Sequence, residues 1–125
     1  MTALEMDPQI RARWVAALRS GKYEQGREFL RTEDDRFCCL GVLCELAVAD
    51  GVIPPAWGDG SEWVYADASA ELPDRVMQWA GLPSIDPVIP AEMASLAGLN
   101  DGDEAVEREP WTFAQIADAI EGGAS

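Results

Sequence analysis

The run Phe37–Gly51, FCCLGVLCELAVADG, is the most apolar stretch of this 125-residue chain, and its periodicity decides the fold class. Its apolar residues do not alternate, which argues against a half-exposed strand. At about 100° per residue, Phe37, Leu40, Cys44, Ala47 and Val48 fall on one face and Cys39, Leu43 and Leu46 on the adjoining one. Glu45 and Asp50 are its only charges. The polar edge is therefore narrow, and the run is predicted to be a helix packed on several sides. Asp34 or Asp35 is the expected N-cap, because a short carboxylate accepts from the free amides of a first turn. Gly51 suits the C′ position, where φ is positive. A fully buried strand over Leu40–Leu46 is the alternative. Cys38, Gly41, Cys44 and Ala47 recur at a spacing of three, a line of small side chains along which another element can approach closely.

Working outward, Asp7-Pro8 joins a cap to a proline at the first helical position. Ile10, Trp14, Ala17 and Leu18 then line one side, with Trp14 as core anchor, until Ser20-Gly21 ends the helix. Residues 21–36 are polar and broken by Gly26. Phe29 and Leu30 suit a short strand or an extended arm, and Tyr23, Gln25 and Arg27 a solvated loop or, less simply, the wall of a polar pocket. Residues 51–69 form a long connector broken by Pro54, Pro55, Gly58 and Gly60, and irregular connections of this length inside a small domain are often functional. Within it Trp63-Val64-Tyr65 suits a short strand. Trp57 and Trp63 flank the Gly58-Asp59-Gly60 turn. They are read first as a lid on the core, and second as a pair that stacks a flat ligand or anchors a partner.

Leu72-Pro73-Asp74 opens the next helix, with Val76, Met77, Trp79 and Ala80 as its apolar positions and Gly81 at its end. Pro83, Pro87 and Pro90 keep residues 82–90 extended. Residues 91–99 are a short helix or one turn of it, Asn100-Asp101-Gly102 is a turn signal, and residues 103–109 are acidic and exposed. Thr112 and Gln115 form a capping-box pattern before the stripe Phe113, Ile116, Ala117 and Ile120, which Gly122-Gly123 ends. The expected fold is mainly α, a compact single domain around the buried central helix, covered by helices near residues 8–20, 73–80 and 112–121. It becomes α+β if residues 28–32 and 62–66 form a small two-stranded element.

Net charge is −14, and the chain has no histidine. Residues 1–36 hold seven acids and seven bases, whereas residues 37–125 hold sixteen acids against Arg75 and Arg108. Direct binding of a nucleic-acid backbone by that longer part is disfavoured. Solubility accounts for the acidity most simply; an acidic face that meets a basic partner, such as a DNA-binding surface, is the sharper reading. No segment is long and apolar enough to span a bilayer, and no export signal is visible at the N-terminus, so a cytoplasmic location is expected. The three cysteines are too close together for a disulfide framework and read as buried packing residues. Without histidine a zinc site would need a carboxylate at an unusual spacing, so neither metal nor cofactor is expected. There is no imidazole base, no phosphate-cradling loop and no serine elbow.

The segments RWVAALRSGKYEQG, RFCCLGVLCEL, LPDRVMQWAGL, LND and FAQIADAIE together resemble a family of small proteins encoded by bacteriophages and prophages, from about Arg13 to Glu121. The FCCLGVLC core is quite specific. The resemblance implies a setting, the host cytoplasm, and no activity. Two features depart from its pattern: the acidic stretch 103–109, and Gly98 before Leu99-Asn100-Asp101. The sequence thus leads to an accessory protein that acts by binding a host or defence protein. An alternative is sequestration of a small nucleotide-like ligand, with Tyr23, Trp57 and Trp63 stacking and Arg36 or Arg31 meeting phosphate. A carboxylate- or thiol-dependent enzyme is the third reading. Arg36, Asn100 and Asp101 are further candidate contacts, against which capping or turn formation is the plain alternative.

Overall fold

A computed structural model describes residues 3–58, 63–66, 68–90 and 92–122, apart from the Val106 side chain. Among these residues the chain forms helices α1 (Pro8–Arg19), α2 (Cys39–Ala49), α3 (Asp74–Ala80), α4 (Leu96–Asp101) and α5 (Phe113–Glu121). Two antiparallel pairs of very short strands accompany them, β1 (Trp57–Gly58) with β2 (Trp63–Val64) and β3 (Val88–Ile89) with β4 (Ala94–Ser95). The architecture is mainly α with small β-elements. Among the described residues no helix is long and apolar enough to cross a membrane.

The central run is a helix and it is buried. Every residue from Cys39 to Cys44, and Ala47, is shielded from solvent, while Glu45, Leu46 and Val48 are half-buried. Helices α1, α3 and α4 lie against it, and α5 packs chiefly on α1 and α4. The place expected for the C-terminal helix against α2 is thus partly taken by the short helix α4. Trp14 is fully buried, and its Nε1 donates to the Cys39 carbonyl at 3.0 Å, which fixes α1 across the start of α2. Gly51 adopts φ 74° and closes the helix as expected.

The start of α2 differs from expectation. Asp34 and Asp35 lie in a tight turn, where the Asp35 amide donates to Thr32 O and the Thr32 amide to Arg36 O. The helix begins at Cys39, and its N-cap position, Cys38, makes no side-chain cap. The N-caps of α1 and α5 follow their local signals. Asp7 accepts from the Gln9 and Ile10 amides, and Thr112 and Gln115 form the reciprocal box.

Close approach along the small-residue line is real and is centred on Gly41. Leu30, itself buried, crosses α2 there. A Cβ on Gly41 would be driven into the Leu30 carbonyl oxygen, with the carbonyl carbon at 2.7 Å. Leu30 belongs to no ladder strand; its amide donates to Ser69 O at 2.7 Å. The strand pairing expected between residues 28–32 and 62–66 is therefore replaced by a hairpin inside the tryptophan connector, with Trp57 opposite Val64 and Gly58 opposite Trp63. Asp59, Gly60 and residues 61 and 62 lie outside the described residues, as do residues 91 and 123–125. The Asn100-Asp101 pair is also placed differently. It forms the last turn of α4, with Gly98 inside the helix and Gly102, at φ 82°, ending it.

All three cysteines are free and buried. Burial pushes the Cys38 thiol up to about 12 and raises those of Cys39 and Cys44 well above the ordinary range. They are protonated packing groups rather than thiolates.

An exposed helical glycine replaced by alanine ordinarily gains about 1 kcal/mol. At Gly41 the sign reverses, because the new methyl meets backbone that has no room to yield. We expect Gly41→Ala to lose about 3 kcal/mol or more, measured by urea denaturation.

Candidate functional site

A buried junction around Asn100 organises one end of the molecule. A primary amide offers two donor hydrogens and an acceptor oxygen with two lone pairs, and Asn100 uses all of them. Its Oδ1 accepts from Gln25 Nε2 at 2.9 Å and from the Cys39 amide at 3.2 Å. Its Nδ2 donates to Gly26 O at 2.9 Å and to Asp101 Oδ1 at 3.0 Å. The Cys39 amide is the first free donor of α2, so the cap missing from the local sequence is supplied from sixty-one residues away. Gln25 is equally committed. Its Nε2 also donates to Trp111 O at 2.7 Å, and its Oε1 accepts from the Phe113 amide at 3.1 Å. Asp101 Oδ1 accepts from the amide of Glu28, which is held at φ 74°.

This junction ties residues 25–28 to α2, to the end of α4 and to the start of α5. No polar atom of Asn100 is left over for a ligand. Its role is capping, the plain reading of that residue, but the capped helix is distant. Gln25 is not in a solvated loop; it is the centre of the polar wall that the sequence left as the lesser alternative.

A second cluster lies around Phe37. The Arg31 guanidinium carbon sits 4.0 Å from the Trp63 ring centroid and 5.4 Å from that of Phe37. Tyr23 meets Phe37 edge-on at 5.3 Å and 82°. Arg31 Nε and Nη2 donate to Asp35 Oδ1 at 3.0 and 2.8 Å. Burial opposes the charge of Arg31, but the Asp35 hydrogen bond and the fields of Tyr65, Asp35 and Glu45 outweigh it, and its pKa is raised. The fully buried Tyr65 donates its hydroxyl to Glu45 Oε2 at 2.7 Å. Burial first, then that carboxylate, pushes the phenol up, so it remains a donor. Burial and Glu45 push Tyr23 in the same direction. A cation, two carboxylates and four aromatic rings are packed here, with the cation already stacked and paired.

The candidate contacts read from sequence therefore do not converge. Asn100 and Asp101 belong to the junction, and Tyr23 and Trp63 to the Arg31 cluster. Arg36 stands on the surface, its Nε 3.1 Å from Asp34 Oδ2 and its Nη2 3.8 Å from Glu24; exposed pairs of this kind contribute little. Trp57 is 62% exposed and is not among the residues packed against the core, so it is no lid. In an antiparallel ribbon opposite residues share a face and neighbours alternate. Trp57 shares its face with Val64, and Trp63 points to the other face, so the two indoles do not clamp one ligand. Neither of the two described cavities is lined by any of the six candidates. Sequence reasoning passed over Glu45 and Tyr65. The available signal was Glu45 itself, a lone carboxylate within the apolar part of α2 that needs a partner.

A family model described as a domain of unknown function (DUF8296) matches residues 6–124. The chain belongs to this family. The match includes every element above and both clusters. No curated protein matches the chain, and no solved structure does.

Removing the Asn100 amide would orphan the Cys39 amide, the Gly26 carbonyl and one Gln25 donor in a dry site. We expect Asn100→Ala to lose about 3–5 kcal/mol, and Arg36→Ala less than about 0.5 kcal/mol, compared in the same chemical-denaturation series.

Proposed function

We propose that this is a small phage-type accessory protein that acts in the host cytoplasm by binding a host or defence protein, with Trp57 as the anchor of the contact surface. The observation that carries the reading is an indole left 62% exposed on a braced hairpin. Trp63, on the opposite face of the same ribbon, is held under Arg31, and the exposed Pro54 and Pro55 stiffen the approach to β1. An aromatic ring presented on a pre-ordered support loses little freedom on binding, and tryptophan is the residue most enriched at interface hot spots. The sixteen acids of residues 37–125 favour a basic partner surface through long-range steering. The phage setting rests on the resemblance carried by FCCLGVLC and its companion segments.

The nucleotide alternative asks Tyr23, Trp57 and Trp63 to stack one ligand and Arg36 or Arg31 to meet its phosphate. The opposed faces of the two indoles and the prior commitment of Arg31 to Asp35 weigh against it.

The test is affinity capture from host lysate at low salt, with the wild-type chain and Trp57→Ala side by side. We expect a defined protein retained by the wild type, released as salt is raised, and bound at least tenfold more weakly by the variant, a loss of about 1.4 kcal/mol or more. Retention unaffected by Trp57→Ala, or nothing retained at low salt, contradicts the reading.

A further inference from the structure

A cavity of about 470 Å³ opens between the β3–β4 hairpin, α4 and residues 103–108, and plays no part in the reading above. The two features that depart from the resembled pattern, Gly98 and the stretch 103–109, meet in its wall through Gly98, Asp103 and Arg108. Glu92, Met93 and Ala94 from the hairpin form the opposite side.

Its chemistry is of both signs. Arg108 is one of two cations in residues 37–125. Its Nη2 donates to the Glu92 backbone carbonyl at 3.3 Å, and its Nη1 stands 3.8 Å from the Glu92 carboxylate. A guanidinium has five N–H donors, so most of them remain for another acceptor. Asp103 engages one carboxylate oxygen with the Ala105 amide at 2.9 Å, and among the described residues the Glu92 carboxylate has only the distant contact with Arg108. Acceptors are thus spare as well. Met93 stands at the rim, 89% exposed and held at φ 52°, a costly conformation for a residue with a side chain. A simple anion entering here meets two carboxylates, and a simple cation meets a guanidinium. A molecule that carries an ammonium and a carboxylate on one carbon satisfies both.

We propose that this cavity binds a free α-amino acid with an apolar side chain. Its carboxylate takes the spare donors of Arg108, its ammonium faces Glu92 and Asp103, and its side chain lies along Met93 and Ala94. The site is separate from Trp57 and independent of the protein partner.

Titration calorimetry with L-leucine tests it, using isoamylamine and isocaproate as analogues that each lack one of the two charged groups. We expect leucine to bind the wild type, and each analogue to bind at least about tenfold more weakly. Arg108→Gln and Glu92→Gln, checked for fold by circular dichroism, should weaken leucine by a similar factor, and Trp57→Ala should leave it unchanged. The proposal is overturned if neither leucine nor any other amino acid with an apolar side chain binds the folded wild type at millimolar concentration. It is also overturned if the analogues bind as well as leucine does, or if the folded variants bind it unchanged.

Discussion

Helix α2 begins with an amide that no neighbouring side chain in the sequence reaches, and it begins in the interior, where water cannot serve. A buried N–H without a partner costs on the order of 1–3 kcal/mol, and the first turn of a helix has several such groups. Asn100 meets the first of them through its Oδ1. That single contact requires α4 to end beside the start of α2, and it requires something to fill the other three bonding positions of the amide. Gln25, Gly26 and Asp101 fill them, and Gln25 carries the linkage on to residues 111 and 113. The placement of the polar segment before α2, of α4 and of α5 follows from completing one buried amide.

The rest of the core is arranged around the same helix by shape rather than polarity. Leu30 crosses α2 where Gly41 leaves room for a backbone carbonyl, and the chain then turns through Asp35 and returns to Phe37. That path puts Arg31 over Phe37 and Trp63, so the guanidinium holds down one face of the tryptophan hairpin. Glu45, the one charge in the apolar part of α2, is accommodated by the buried Tyr65 hydroxyl. An indole on the outer face of the hairpin is then left in solvent on a support with its own tertiary anchor. The proposed binding surface is a consequence of how the hub is covered.

Much of this was legible in the sequence, because the signals concerned are local. The apolar run without a polar stripe marked a buried helix. Asp7-Pro8, Gly51, Gly81 and the Thr112–Gln115 box marked helix ends, and the spacing of three marked the close approach at Gly41. What failed depends on contacts distant in sequence. Two aspartates just before the apolar run look like a cap, and nothing local reveals that Asn100 takes the role. Asn100-Asp101-Gly102 reads as a turn, yet the pair finishes a helix because its side chains have buried partners. The tryptophans look like a lid or a clamp; only strand register shows that they face opposite ways. The candidate site was legible as residue types and not as a constellation. Membership in the domain-of-unknown-function family spans residues 6–124 and so covers the core and its caps.

Site-resolved hydrogen exchange of the Cys39 amide tests the central claim most directly. The first amide of a helix normally exchanges by local fraying, far faster than the helix interior. With Asn100 capping it inside the core, the Cys39 amide should exchange only through global unfolding, at the same free energy as the Leu43 amide in the middle of α2. Fast exchange at Cys39 beside full protection at Leu43 would contradict the account.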